Sequence, residues 1–152
     1  MFTIRDYAPE DFEHLWKLDQ LCFAEGIAYS REELRHFLNR QNSVRLVVQR
    51  DTPDSIAGFL VADIHRVGSA HIITIDVHPD ARRSGLGSRL MSMAEQRLQA
   101  SQCNKVLLEV AVDNMPAISF YKQHGYSVLK TLPRYYNNSI DALLLGKRLD
   151  GA

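Results

Sequence analysis

Apolar positions along this chain change their period several times, and each change marks a predicted element. Phe2, Ile4 and Tyr7 alternate with polar residues, which is the period of a strand. Pro9, Glu10 and Asp11 form an acidic first turn that suits the positive end of a helix. Phe12, Leu15, Trp16, Leu18 and Cys22 then supply a helical apolar face ending near Cys22, and AEGIAYS breaks it. Ser30 and Glu33 have capping-box spacing, so a second helix is predicted over 31–39. VRLVVQR at 44–50 and IAGFLVADIHR at 56–66 read as strands joined by the turn DTPDS, and SAHIITIDV at 69–77 continues the meander.

Beyond a glycine-containing stretch, DARRSGLGSRL at 80–90, the period becomes helical again through Leu86, Leu90, Met93, Ala94 and Leu98. KVLLEVAV at 105–112 is apolar almost throughout, the pattern of a strand buried on both faces, and Glu109 interrupts it. Asn114 is placed to cap a short helix with Pro116 in its first turn and Gly125 just past its end. YSVLKTL and IDALLLGKRL read as the last two strands. The order β-α-α-β-β-β-α-β-α-β-β predicts an α/β (α+β) fold, with a mixed central sheet of about seven strands flanked by about four helices. Without repeats, low-complexity tracts or a linker, residues 1–152 are expected to form a single domain.

Composition narrows the function classes. Lys plus Arg and Asp plus Glu both number 18, so the net charge is zero and attraction of the whole surface to nucleic acid or anionic lipid is not expected. Cys22 and Cys103 have neither metal-ligand spacing nor a disulfide framework, and the six histidines are scattered, so no metal is expected. The chain opens on a strand pattern rather than a basic-then-apolar leader, and no apolar run approaches bilayer length. A soluble cytoplasmic protein, monomeric or homodimeric, is the expectation.

The stretch at 80–90 has two readings. A helix N-terminus presents unpaired N–H groups and partial positive charge, glycines let an anion approach, and Arg82, Arg83 and Arg89 add cations, which together describe a phosphate cradle. It also reads as a loop that starts a helix, with solvated arginines. The chain lacks G-x-x-x-x-G-K-S/T, which excludes a P-loop, and lacks G-x-G-x-x-G after the first strand, which disfavours a dinucleotide site.

What remains is R-x-x-G-x-G between a strand ending VHP and an amphipathic helix, and here the sequence resembles the GNAT superfamily of N-acetyltransferases. VHPDARRSGLGSRLM resembles the acetyl-CoA motif, with Arg82, Gly85 and Gly87 at its signature positions. LLEVAVDNMPAISFYKQHGY resembles the motif that follows it, and RYYNNSIDALLL resembles the ending of bacterial ribosomal-protein-alanine N-acetyltransferases and related N-terminal acetyltransferases. The resemblance implies a GNAT-like domain that moves an acetyl group from acetyl-CoA to a primary amine by direct attack in a ternary complex. A protein or peptide N-terminal α-amine is the first candidate acceptor. A lysine or small-molecule amine, or a non-catalytic acyl-CoA-binding module, are the alternatives.

Residue by residue, the resemblance implies that backbone N–H groups over Arg82, Arg83, Ser84, Gly85, Leu86, Gly87 and Ser88 hold the pyrophosphate. It implies that Ile75, Asp76 and Val77 pair with the pantetheine arm, the Val77 N–H facing the thioester oxygen. Asn114 falls near the pantetheine and also reads as a helix cap. Glu109 matches the general base and Tyr121 the general acid at the cofactor. Relatives carry Pro-Trp-Ser/Thr between the first two helices, where this chain has FAEGIAYS, with Tyr29 near the tryptophan position. Arginine is frequent where Ala111 stands. Tyr135 and Tyr136 are expected, with Tyr29, to line the acceptor groove, in a turn with Arg134, Asn137, Asn138 and Ser139. Asp76 replaces a small or aromatic residue; it reads either as a carboxylate receiving the acceptor's cation or as a strand-end group facing water.

The chemistry accounts for these residue types. An α-amine with pKa about 8 is roughly a tenth neutral at pH 7, whereas a lysine amine with pKa about 10.4 is almost wholly charged. Glu109 would serve as base through water or with a raised pKa, and its bland alternative is a strand glutamate paired with a lysine or arginine. Proton transfer from a tyrosine to a thiolate costs about 2 kcal/mol at reference values, and a lowered tyrosine pKa would shrink that cost. The alternative for Tyr121 is a core aromatic.

Overall fold

A computed structural model describes residues 1–52, 55–66, 68–136 and 139–149. The strands are β1 (Thr3–Asp6), β2 (Ser43–Gln49), β3 (Ile56–Arg66), β4 (Ser69–Val77), β5 (Lys105–Ala111), β6 (Ser127–Tyr136) and β7 (Ile140–Arg148). The helices are α1 (Phe12–Cys22), α2 (Arg31–Leu38), α3 (Leu86–Ala100) and α4 (Met115–Gln123). The strands form one seven-stranded sheet in the order β1-β2-β3-β4-β5-β7-β6. The predicted α/β architecture with a mixed sheet and four helices is observed.

Local signals act where the sequence puts them. Ser30 Oγ accepts the Glu33 N–H at 3.1 Å and Glu33 Oε1 accepts the Ser30 N–H at 2.9 Å, closing the capping box of α2. Asn114 Oδ1 accepts the Ala117 N–H at 3.3 Å and starts α4. The turn expected at DTPDS closes with Ser55 N–H donating to the Thr52 carbonyl at 3.1 Å, while Pro53 and Asp54 lie outside the described residues.

The sheet separates two helical layers. On one face α1 and α2 pack Leu15, Leu18, Leu34 and Leu38 onto Val47, Phe59 and Val61. On the other, α3 and α4 pack Leu86, Leu90, Met91, Leu98, Ile118 and Tyr121 onto Leu60, Ala62, Val106 and Leu108. Eight consecutive residues of β3, Ile56–Asp63, are buried because both layers cover that strand.

Two irregularities in β4 shape everything that follows. First, β4 and β5 run parallel but pair only at Ser69 with Lys105, Ala70 with Val106 and His71 with Leu107. Beyond His71, β4 continues beside β3 and β5 continues beside β7, so the sheet opens between them. Secondly, the β3–β4 register shifts so that Ile72 opposes Ala62 and Thr74 opposes Val61, leaving Ile73 as the extra residue of a bulge. Residues directly opposite share a face. Ile72 therefore faces α3 with Ala62, whereas Thr74 and Asp76 face α1 with Val61 and Phe59. A bulge re-aims the side chains after it, and this one turns Asp76 toward α1.

β6 extends through Tyr136, further than YSVLKTL predicts. Its register slips between Leu132 and Tyr136, where Arg134 takes a positive φ of 52° and its N–H donates to Asp141 Oδ1 at 2.9 Å. Tyr135 and Tyr136 thus end a strand rather than form the turn. Asn137 and Asn138 lie outside the described residues.

Candidate active site

The opening between β4 and β5 is lined by backbone with no strand partner. The His78 N–H donates to the Ala57 carbonyl at 2.7 Å. Since successive N–H groups of a strand point to opposite edges, the Val77 N–H points away from β3, toward the opening. The Val77 carbonyl accepts Arg82 Nε at 3.0 Å, and the Cys22 thiol lies 3.5 Å from it. Burial raises the Cys22 pKa to about 11, aided by Asp76 and opposed by Arg82.

The glycine loop leaves β4 and starts α3. Arg83 has φ 64° and Gly85, the N-cap, φ 82°. The first helical bond runs from the Arg89 N–H to the Gly85 carbonyl at 3.0 Å, so the N–H groups of Leu86, Gly87 and Ser88 have no partner within the helix. Ser84 Oγ bonds the Ala81 carbonyl, and Ser88 Oγ lies 2.9 Å from His124 Nε2. A Cβ added to Gly85 would meet nothing within 4 Å, so open space lies over the loop; one added to Gly87 would come within 3.1 Å of the Phe120 ring. The loop therefore has both exposed donors and room above them. Asn114, at the start of α4, has its side chain engaged as the helix cap.

On the α1–α2 side of the opening the structure gathers residues that the sequence scatters. Glu109 Oε1 lies 2.6 Å from His71 Nε2, and both side chains are partly buried. The partner expected for a merely structural Glu109 was a lysine or arginine; here it is an imidazole, which also packs at a tilt against His65 with ring centroids 5.6 Å apart. Burial, and then the nearby Glu109 carboxylate, raise the Tyr135 pKa. Tyr136 packs edge-on against Tyr135 at 4.9 Å. Tyr29 reaches the Ile73 carbonyl of the bulge with its hydroxyl at 3.2 Å. Tyr29, Tyr135, Tyr136, Glu109 and His71 thus form one cluster. His71 was not singled out from the sequence. The signal was its place in β4 together with the parallel pairing of β4 and β5, which sets it beside the residue two beyond its partner Leu107.

Tyr121 projects from α4, buried among Phe120 and Tyr126 at ring distances of 5.4 and 6.0 Å. Burial, then the charges of Asp76 and Tyr136, push its pKa up. The lowered tyrosine pKa that would ease proton donation is therefore absent. Low dielectric disfavours the phenolate, and no neighbouring cation offsets it among the groups acting on the hydroxyl.

Asp76 requires a correction to both of its sequence readings. Its side chain is 1% exposed, so it meets neither water nor an open acceptor groove. The bulge turns it onto Asp19 of α1 and onto Thr74, whose hydroxyl donates to Asp76 Oδ1 at 2.5 Å. Asp19 was also missed, although it stands at helical spacing within the apolar stripe Phe12, Leu15 and Cys22, where a charge is out of place.

The profile of the acetyltransferase (GNAT) family matches residues 10–126. The chain belongs to that family. This GNAT chain is 37% identical to an uncharacterised N-acetyltransferase of Methanocaldococcus jannaschii, over 98% of this chain and 93% of that protein. It is 34% identical to an N-alpha-acetyltransferase of Sulfurisphaera tokodaii, over 97% of this chain and 93% of that one. Among solved structures, Ard1 of Thermoplasma volcanium superposes with TM-score 0.87 at 28% identity, covering 97% of each chain. The fold also matches the ribosomal-protein-S18-alanine N-acetyltransferase of Escherichia coli, with TM-score 0.88 at 21% identity over 100% of this chain and 96% of that one.

As a GNAT acetyltransferase, the chain places its glycine loop and the unpaired end of β4 on one side of the opening and the Glu109 cluster on the other. No described helix is long and apolar enough to cross a membrane, and no group of three or more metal-ligating side chains occurs among the described residues.

Proposed function

We propose that this chain transfers the acetyl group of acetyl-CoA to the α-amine of a protein or peptide N-terminus, by direct attack within a ternary complex. The observation that carries the proposal is the Glu109–His71 contact at the open side of β5, ringed by Tyr29, Tyr135 and Tyr136. The N-alpha-acetyltransferase of Sulfurisphaera tokodaii, similar over nearly its whole length, adds support.

The residues fit acetyl-CoA. The free N–H groups of Leu86, Gly87 and Ser88, with Arg82, Arg83 and Ser84 around them, suit its pyrophosphate. The outward N–H groups of Ile75 and Val77 suit the pantetheine arm as an added strand, and that of Val77 suits the thioester oxygen. When bound, acetyl-CoA supplies the acyl thioester. Glu109, with His71, receives the proton that the amine loses, directly or through a water. Tyr121 would donate its proton to the sulfur that leaves, and its raised pKa keeps it protonated in the resting site. Tyr29, Tyr135 and Tyr136 wall the acceptor slot. Residues 1–152 act as one catalytic domain, and the two free thiols suit the reducing cytoplasm.

The test is free-thiol release from acetyl-CoA over N-terminal peptides, lysine peptides and small amines. Turnover with N-terminal peptides is expected. Turnover confined to lysine or small amines would move the acceptor, and cofactor binding without thiol release from any amine would leave an acyl-CoA-binding module.

A further inference from the structure

Asp19 and Asp76 are the two most deeply buried carboxyl groups near the site, at 0% and 1% exposure. They approach from different elements, α1 and β4, on the face of the sheet that α1 covers, close enough for each carboxyl to act on the other's ionisation. Each has one oxygen satisfied by another group: Asp19 Oδ2 accepts the Tyr29 N–H at 2.8 Å, and Asp76 Oδ1 accepts the Thr74 hydroxyl at 2.5 Å. The remaining oxygens, Asp19 Oδ1 and Asp76 Oδ2, are buried and have no donor when both groups are ionised. Two adjacent carboxylates in a low-dielectric interior repel strongly, and a buried acceptor without a donor is costly. One proton held between those two oxygens removes both problems.

We propose that Asp19 and Asp76 share a single proton, and that this carboxylic acid–carboxylate bond is the positioning element that holds the Tyr29 wall of the acceptor slot against β4. The claim about the acceptor wall rests on the N-terminal acetyltransferase reading above; the claim about the proton does not.

The surroundings favour the proton on Asp76. Burial and the charge of Asp19 push Asp76 up, and its bond from Thr74 only partly opposes them. Burial raises Asp19 as well, but the Tyr29 N–H and the bond from Asp76 favour its ionised form. The other titratable groups acting on the pair are Cys22 on α1, Tyr29 before α2, Glu33 on α2, Tyr121 on α4 and Arg82 beyond β4. Arg82 is the one cation among them, and it is exposed and donates to the Val77 carbonyl.

The wall is fixed from several directions. The Tyr29 N–H ends on Asp19, and its carbonyl accepts Trp16 Nε1 at 3.2 Å and Gln20 Nε2 at 2.7 Å. Its hydroxyl donates to Ile73, the bulge residue three positions before Asp76. The acid pair and the Tyr29 hydroxyl thus pin the α1–α2 loop to the stretch of β4 that borders the opening. Breaking the pair frees the loop from one of its two anchors to β4.

Two measurements on the purified full-length chain test this. Folded Asp76 keeps a proton that the unfolded chain releases at ordinary carboxylate pH, so this group's contribution is greatest at low pH and is lost as pH rises toward its raised folded value. The Tm of Asp76→Asn, whose amide donates to Asp19 without titrating, should therefore gain on that of wild type as pH goes from about 5 to about 9. A difference in Tm that stays constant over that range overturns the shared proton. In the second measurement, Asp19→Ala should raise KM for an N-terminal peptide about tenfold with KM for acetyl-CoA unchanged, and Asp19→Asn should restore it. If Asp19→Ala leaves the peptide KM unchanged, or raises both KM values together, the positioning role is overturned. If wild type acetylates no peptide, the acceptor reading and the Tyr29 wall fall together, and the Tm arm still decides the proton.

Discussion

His71 Nε2 and Glu109 Oε1 stand 2.6 Å apart across the point where β4 and β5 separate. The imidazole and the carboxylate orient each other. Glu109→Gln preserves shape and removes the proposed base, so kcat should fall by about 100-fold while acetyl-CoA affinity is kept. Stopped-flow turnover and calorimetric titration of CoA check the two halves separately. An unchanged kcat would remove Glu109 from the proton path.

Tyr121 carries its proton in a buried site with a raised pKa. Tyr121→Phe keeps the ring contacts with Phe120 and Tyr126 but loses the hydroxyl. Turnover should drop by about 10- to 100-fold with Tm nearly unchanged. A loss of Tm equal to that of a core truncation would instead make the residue structural.

Gly85 has φ 82° with open space at its Cβ position. Gly85→Ala should cost about 1 kcal/mol through the left-handed backbone alone, lowering Tm by roughly 2–4 °C. Its new methyl also enters the open space over the loop where the proposed pyrophosphate would sit, so the Kd for CoA should rise several-fold more than for Gly87→Ala, where the added group meets the Phe120 ring instead.

Cys22 has a pKa pushed up to about 11 by burial and by Asp76. At pH 8 it should alkylate roughly a hundredfold more slowly than an unhindered thiol. Peptide mapping after timed iodoacetamide exposure reads that rate directly, and labelling at the pace of a free thiol would contradict the burial.

The capping box of α2 offers a stability test remote from the cofactor. Ser30→Ala removes the acceptor for the Glu33 N–H and should cost about 1 kcal/mol, which a urea titration resolves.

Much of this was legible in the chain. Helix caps at Ser30 and Asn114, the β-meander and the glycine loop are local events, written in neighbouring residues. The Glu109–His71 contact was not, because it depends on which strands become neighbours and where they part. Asp76 was misjudged for a related reason. Plain alternation along SAHIITIDV sets Ile72, Thr74 and Asp76 on one face, and the bulge at Ile73 divides them between two. A register slip of one residue leaves no mark in composition, yet it decides whether Asp76 meets solvent or Asp19. The end of β6 was missed likewise, since Arg134 adopts a conformation that few non-glycine residues take.

The parting of β4 and β5 also bears on how the chain endures heat. Among the described residues the β4–β5 ladder that joins the two halves of the sheet has only three register pairs. On the proposed function, a cosubstrate bound along Ile75 and Val77 would mend that seam and count as part of the fold. At a concentration about a hundred times its Kd it adds about 2.7 kcal/mol of stability. The melting point of this enzyme would then be a gauge of its cosubstrate supply, rising as acetyl-CoA is titrated in.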